Sequence, residues 1–163
     1  MRNISQTLAG RVAVTRLLPL SISELKEDAN IDTNTLMWKG FYPGVWGDGK
    51  DPGNVYDSYV STYLQRDVRQ ILNIKDLSLF QKFLTIVASR VGNVFIASSI
   101  ASELGVDYKT IQSWMSILET SYTAFLLQPF HRNIGKRMTK TPKVYFYDVG
   151  LACHLLGIEN EQH

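Results

Sequence analysis

Four side chains along one short stretch, Lys109, Gln112, Ser113 and Ser116, are of the types that grip or read a nucleic acid. An ammonium answers a phosphate, and a carboxamide or hydroxyl reaches base edges in a major groove. At helical spacing these four share one side, while Tyr108, Ile111, Met115 and Leu118 share the apolar side opposite. A second group lies downstream. Arg132, Lys136, Arg137, Lys140 and Lys143 fall between Glu119 and Asp148, with no acidic residue among them. The whole chain is at +2 and this segment at +5, which leaves the rest at −3. Such a cluster engages several phosphates, with an affinity that falls steeply as salt rises. Sequence-specific reading has less support. The helix face offers one cation, Lys109, and no arginine to take guanine bidentately, and Asp107 and Glu119 sit at its ends. The alternative is a basic, solvated loop on a protein-interaction domain.

Other candidate chemistry is thin. Gly44 to Lys50 matches the G-x-x-x-x-G-K spacing of a phosphate-binding loop, but Asp51 stands where Ser or Thr would hold magnesium. Asp48 would also place negative charge inside the anion cradle, so the stretch reads as a connector. His131, His154 and His163 are scattered, and the single cysteine, Cys153, cannot build a thiolate metal site. Cys153 and His154 are adjacent, so they point to different helix faces and imply no nucleophile–base pair. Asp148 is expected to cap a helix beginning at Val149. No carboxylate pair has a claim to acid–base work. The chain is expected to be no enzyme and to hold no cofactor or metal.

These residues need elements to position them. Ala97 to Leu104 and Tyr108 to Ser121 read as two short helices around Gly105, where glycine can take the positive φ of a tight turn. Ala101 lets the second helix approach, and Ile111 and Trp114 close the wedge. "AFLLQPF", Ala124 to Phe130, and "KVYFYD", from Lys143, read as strands flanking the basic tip. The expected fold is α+β, mainly helical, a winged helix-turn-helix. An ordinary helical hairpin is the plainer alternative. Upstream, Asp76 can cap a helix carrying the stripe Phe80, Phe83, Leu84, Val87 and Val91, and Tyr56, Val60, Tyr63 or Leu64, Val68 and Ile71 mark another. Between Gly40 and Gly53 five glycines and two prolines in fourteen residues predict a loop, with Pro52 and Gly53 delaying the next helix. At the start, Asn3 to Leu8 suggests a helix closed by Gly10. Val12, Val14 and Leu17 suggest a strand, and Ser21 or Ser23 caps a brief helix holding Ile22 and Leu25. That opening looks like the trailing edge of another domain.

The composition is 45% hydrophobic and 20% charged over 163 residues, which suits one globular domain with appendages. One cysteine fits a reducing compartment, and no apolar run is long enough to span or target, so a cytoplasmic protein without membrane attachment is expected.

The ordered segments "LAGR", "LLPLS", "YLQRD", "RNIGKR" and "YFYDVGL" resemble the AAA-type ATPases of bacteria and archaea. In that family an ATPase domain precedes a C-terminal part that looks like a winged helix followed by a restriction-endonuclease-like fold. The resemblance runs from about Ser5 to Gly157. It implies that residues 1–53 are an ATPase-lid-like remnant with a Gly/Pro-rich linker, that 54–147 hold the winged helix, and that 148–163 begin a truncated C-terminal region. The Walker motifs and the endonuclease-like acids are missing, so the chain reads as a non-catalytic middle fragment. Arg11, in "LAGR", is the one position that the resemblance would set against a nucleotide phosphate. The implied partners are DNA, through helix 108–121 and wing 131–143, or the ATPase body or a sister subunit. An independent small transcription regulator is the third expectation.

Overall fold

The computed structural model describes residues 13, 15–25, 31–63, 68, 77–130 and 140–162. The chain enters through a single 3-10 turn, Ile22–Glu24, whose Glu24 carboxylate accepts from both the Ser21 N–H and its hydroxyl. Seven helices and two strands follow among the described residues. They are α1 (Thr33–Lys39), α2 (Pro43–Trp46), α3 (Pro52–Tyr63), α4 (Leu77–Ser89), α5 (Ala97–Leu104), α6 (Tyr108–Thr120), β1 (Ala124–Leu127), β2 (Lys143–Phe146) and α7 (Val149–Leu155). The architecture is α+β and mainly helical.

Several expectations change. Residues 13 and 15–18 carry no strand, and Leu17 is 94% exposed, so it has no apolar surface to pair with. The glycine-rich stretch is not all loop, since α2 forms inside it with Pro43 at its first position. Pro52 does not delay α3 but opens it. A first-turn proline loses no helical hydrogen bond and arrives with φ already set, and the Asp51 carboxylate accepts from the Asn54 N–H 3.0 Å away. Val91 falls beyond the end of α4 and is 39% exposed, so the stripe stops at Val87. The brief helix expected after Ser21 is present as the 3-10 turn Ile22–Glu24 with Ser21 at its N-cap, but Ile22 is exposed and Leu25 lies just after its end. The expectations for Asn3–Leu8, Val12, Val14, Leu64, Ile71 and Asp76 lie outside the described residues.

The core is one cluster. Phe80, Phe83, Leu84 and Val87 of α4 meet Ile100 of α5, Ile111, Trp114, Met115 and Leu118 of α6, and Val144 of β2. Trp114 does more than close the α5–α6 wedge. Its ring lies 5.3 Å from Phe80 and 5.4 Å from Phe83, which ties α6 to α4. Between α5 and α6, Gly105 takes φ 66, ψ 33, and the Val106 N–H reaches back to the Ala101 carbonyl at 3.0 Å.

β1 and β2 pair antiparallel, with Phe125 opposite Tyr145 and Leu127 opposite Lys143. Val94, in the turn after α4, forms an isolated antiparallel bridge to Lys143, so the far side of β2 is also partnered there. Alternation along the strands sends Ala124 and Val144 into the core, and Phe125, Leu127, Lys143 and Tyr145 to the other face.

Contacts cross positions 53 and 147. Helix α7 packs on α1, α3, α4 and β2. Gly40, at φ 62, and Gly150 lie backbone to backbone, and a Cβ on Gly150 would come within 2.6 Å of the Gly40 Cα. Only paired glycines permit that approach. Beside them the Asp148 carboxylate, 1% exposed, accepts from Leu151 N–H (2.7 Å), Phe41 N–H (2.6 Å) and the Tyr56 hydroxyl (2.7 Å). Asp148 therefore caps α7 as expected, and also holds α3 and the segment after α1.

Candidate nucleic-acid interface

Helix α6 carries the first set of candidate residues. Ile111, Trp114, Met115, Ile117 and Leu118 are buried, and that arc forces the rest of the circumference outward. Lys109, Gln112, Ser113 and Ser116 are all exposed and share this outer side. Tyr108, expected on the apolar side, is 46% exposed at its edge, and its hydroxyl accepts from Gln112 Nε2 at 2.8 Å. That contact holds the carboxamide along the helix.

Between α6 and the hairpin runs a groove of about 340 Å3, whose walls include Tyr108, Gln112, Met115, Leu126 and Pro142. The flanking acids are placed differently from each other. Glu119 accepts from the Leu126 N–H at 3.3 Å and so serves the β1 backbone. Asp107 is the residue before α6 and makes no side-chain cap.

The hairpin supplies the second set. Lys140 is exposed where the chain returns to the sheet, and Lys143, in β2, is exposed too. Arg132, Lys136 and Arg137, with Arg11 far upstream, lie outside the described residues. The described strands lead into and out of the segment that holds the three wing cations. The structure thus brings Lys109, Gln112, Ser113 and Ser116 together on α6, with Lys140 on the adjoining hairpin.

Around α7 lie titratable groups that the helix face does not use. Cys153 is buried, and burial, with the nearby Asp148, pushes its thiol above the usual range. Its neighbour His154 turns away to Asp57, with Nε2 3.3 Å from the carboxylate, so the two form no nucleophile–base pair. Burial also raises the Asp148 carboxyl, against the lowering by its hydrogen-bond donors, and raises the Tyr56 hydroxyl beside it. No group of three or more His, Cys, Asp or Glu among the described residues is placed to hold a metal ion. No described helix is long and apolar enough to cross a membrane.

Two features escaped the sequence reading. The Tyr56–Asp148 pair joins residues 92 apart, and no local pattern signals it. On the outer sheet face, Phe125, Tyr145 and Tyr147 follow from period-two alternation once the register is known, and Tyr122, in the turn before β1 with φ 55, adds a fourth ring to the row.

Comparison with known proteins gives relatives without assigned roles. No solved structure matches. "Uncharacterized protein Rv2008c" of Mycobacterium tuberculosis and "Uncharacterized protein Mb2031c" of Mycobacterium bovis are each 29% identical over 158 residues. Those matches cover 96% of this chain and 35% of each relative. An "Uncharacterized protein" of Haemophilus influenzae is 22% identical over 170 residues, covering 94% of this chain and 42% of its own length. The chain thus spans well under half the length of these curated relatives. Residues 30–162 match the family described as "Domain of unknown function (DUF8612)", and that span takes in every helix and both strands named above, so the chain belongs to the DUF8612 family.

Proposed function

We propose that the chain is the nucleic-acid-contacting winged-helix part of a larger AAA-type ATPase. The observation that carries this reading is the juxtaposition on one side of α6. Its outer face presents Lys109, Gln112, Ser113 and Ser116, and directly after it comes a strand pair whose tip is the most basic segment of the chain. Helix α5, the left-handed Gly105, α6 and the hairpin follow one another in the order expected of a winged helix, and the isolated Val94–Lys143 bridge adds a contact on the far side of β2, which supports that reading. The ATPase part of the reading rests on the ordered motifs from "LAGR" to "YFYDVGL". Relatives more than twice as long leave room for an ATPase domain.

In this reading the wing cations set the affinity through phosphates, and Gln112 and Ser113 lie nearest the bases. Lacking an arginine on α6, the module grips duplex DNA with little sequence preference. The test is a salt titration of binding to random duplex DNA. The logarithm of the affinity should fall linearly with that of the salt concentration, by roughly 0.9 per phosphate neutralised. Reversing charge at Arg132, Lys136 and Arg137 together should flatten that slope by roughly 2 to 3. A slope near zero, or a slope indifferent to those reversals, would leave a protein-interaction module as the function. Selection from a random DNA library should return no dominant motif; a single strong motif would instead identify a transcription regulator.

A further inference from the structure

We propose that the outer face of the sheet is a stacking platform for single-stranded nucleic acid. This goes beyond the α6 reading, which concerns a duplex, and does not depend on it. Four rings run across the face in contact. Tyr122 lies 5.8 Å from Tyr147, Tyr147 lies 4.9 Å from Phe125, and Phe125 lies 5.8 Å from Tyr145. Each ring is partly exposed, and beyond Tyr145 the same face continues into Leu127, 51% exposed, and Val94, 45% exposed. The inner face is fully occupied by the core, so this row is not needed to close it.

Charge at the two ends favours a polyanion over an apolar protein partner. The Arg16 guanidinium sits over the Tyr122 ring, 5.4 Å from its centroid. At the other end Lys143, exposed, lies opposite Leu127 in the register. No carboxylate occurs from residue 120 to 147, and the adjoining Glu119 carboxylate is engaged with the Leu126 N–H at 3.3 Å. Aromatic rings that accept bases without regard to identity, between cations that take the phosphates, are what single-strand binding requires. Tyr122 strengthens the case. It has φ 55, directly after the Ser121 cap of α6, where glycine is the usual occupant. A tyrosine is held there against its backbone preference, and its ring begins the row.

The test uses the 163-residue chain, a 15-nucleotide oligothymidylate and a random duplex, read by fluorescence anisotropy. The double variant Phe125→Leu with Tyr145→Leu keeps apolar bulk and removes two π-faces. It should bind the oligothymidylate roughly ten-fold or more weakly and the duplex unchanged. Lys109→Glu should weaken the duplex alone, so each reading can fail without the other. Photocrosslinking of wild type with an iodouracil-substituted strand needs no variant to fold, and adducts should map to Phe125, Tyr145 or Tyr147. The proposal falls if wild type does not bind the single strand, if the double variant binds it as well as wild type, or if adducts map only to α6. It also falls if the double variant changes only self-association, which would make the face a contact between copies.

Discussion

At the residue scale, Asp148 is a buried carboxylate held by donors from three parts of the chain. A carboxylate 1% exposed survives because an N–H from α7, an N–H from residue 41 and a phenol all donate to it. The Tyr56 hydroxyl also lies 3.0 Å from the Lys39 carbonyl, so its single proton is shared between that oxygen and the Asp148 carboxylate. The Asp148→Asn variant turns one acceptor into a donor that must face a donor, and should lose about 1 to 3 kcal/mol. The pH dependence follows from the raised carboxyl. A group that holds its proton more tightly folded than unfolded stabilises the fold fully below its unfolded pKa. That contribution is lost as pH rises through the folded value. Stability of the wild type should therefore carry a declining component as pH climbs above the ordinary aspartate value of about 3.9, and the Asn variant should lack it. Urea melts of both proteins at a series of pH values measure this; parallel curves would mean that Asp148 titrates as if exposed.

At the element scale, the helix pair and the hairpin show which devices fix the fold. Gly105 has φ 66, yet a Cβ built there would meet nothing within 4 Å. The cost of Gly105→Ala is then backbone strain alone, about 1 kcal/mol. Trp114→Ala removes a ring packed between Phe80 and Phe83 and should cost about 3 to 5 kcal/mol. Denaturant melts that reversed this order would show that the turn, not the aromatic wedge, sets the helix crossing. These elements were legible because their causes are local. The stripe on α4, the glycine between α5 and α6 and the β-branched and aromatic strands each sit within a few residues of sequence. The α6 face was legible for the same reason, apart from Tyr108 at its edge. What was illegible depended on pairing across distance. Gly40 looked like loop composition because its partner, Gly150, lies 110 positions away, and Pro52 was read as a breaker when it serves as a first-turn residue. The ring row needed the register of Phe125 on Tyr145, which strand propensity alone does not supply.

At the scale of the whole molecule, charge and chemistry separate. The basic hairpin lies beyond α6, while Asp51, Asp57 and Glu159 line a cavity of about 340 Å3 at the α3–α7 end. The stretch that matches phosphate-loop spacing folds as a helical turn, Pro43–Trp46, followed by a bend. Its Lys50 ammonium is 2.8 Å from the Asp48 carboxylate, so the cation a phosphate would need is already paired. The pair is exposed and contributes little stability, but it presents a carboxylate where an anion would have to approach. The 163-residue chain should therefore release no phosphate from ATP, with or without DNA. A full-length relative such as the mycobacterial protein, nearly three times as long, should hydrolyse it if the ATPase reading is right. Under the proposed reading, in which a DNA-contacting module is joined to a motor, duplex DNA should alter that rate. Reversing charge at any cations of the relative that align with Arg132, Lys136 and Arg137 should then abolish the DNA response and spare the basal rate. Turnover by the short chain would overturn its reading as a non-catalytic part, and a full-length protein inert toward ATP would remove the motor altogether. The contact face on α6 would be untouched by that second result, since duplex binding by the short chain tests it without ATP.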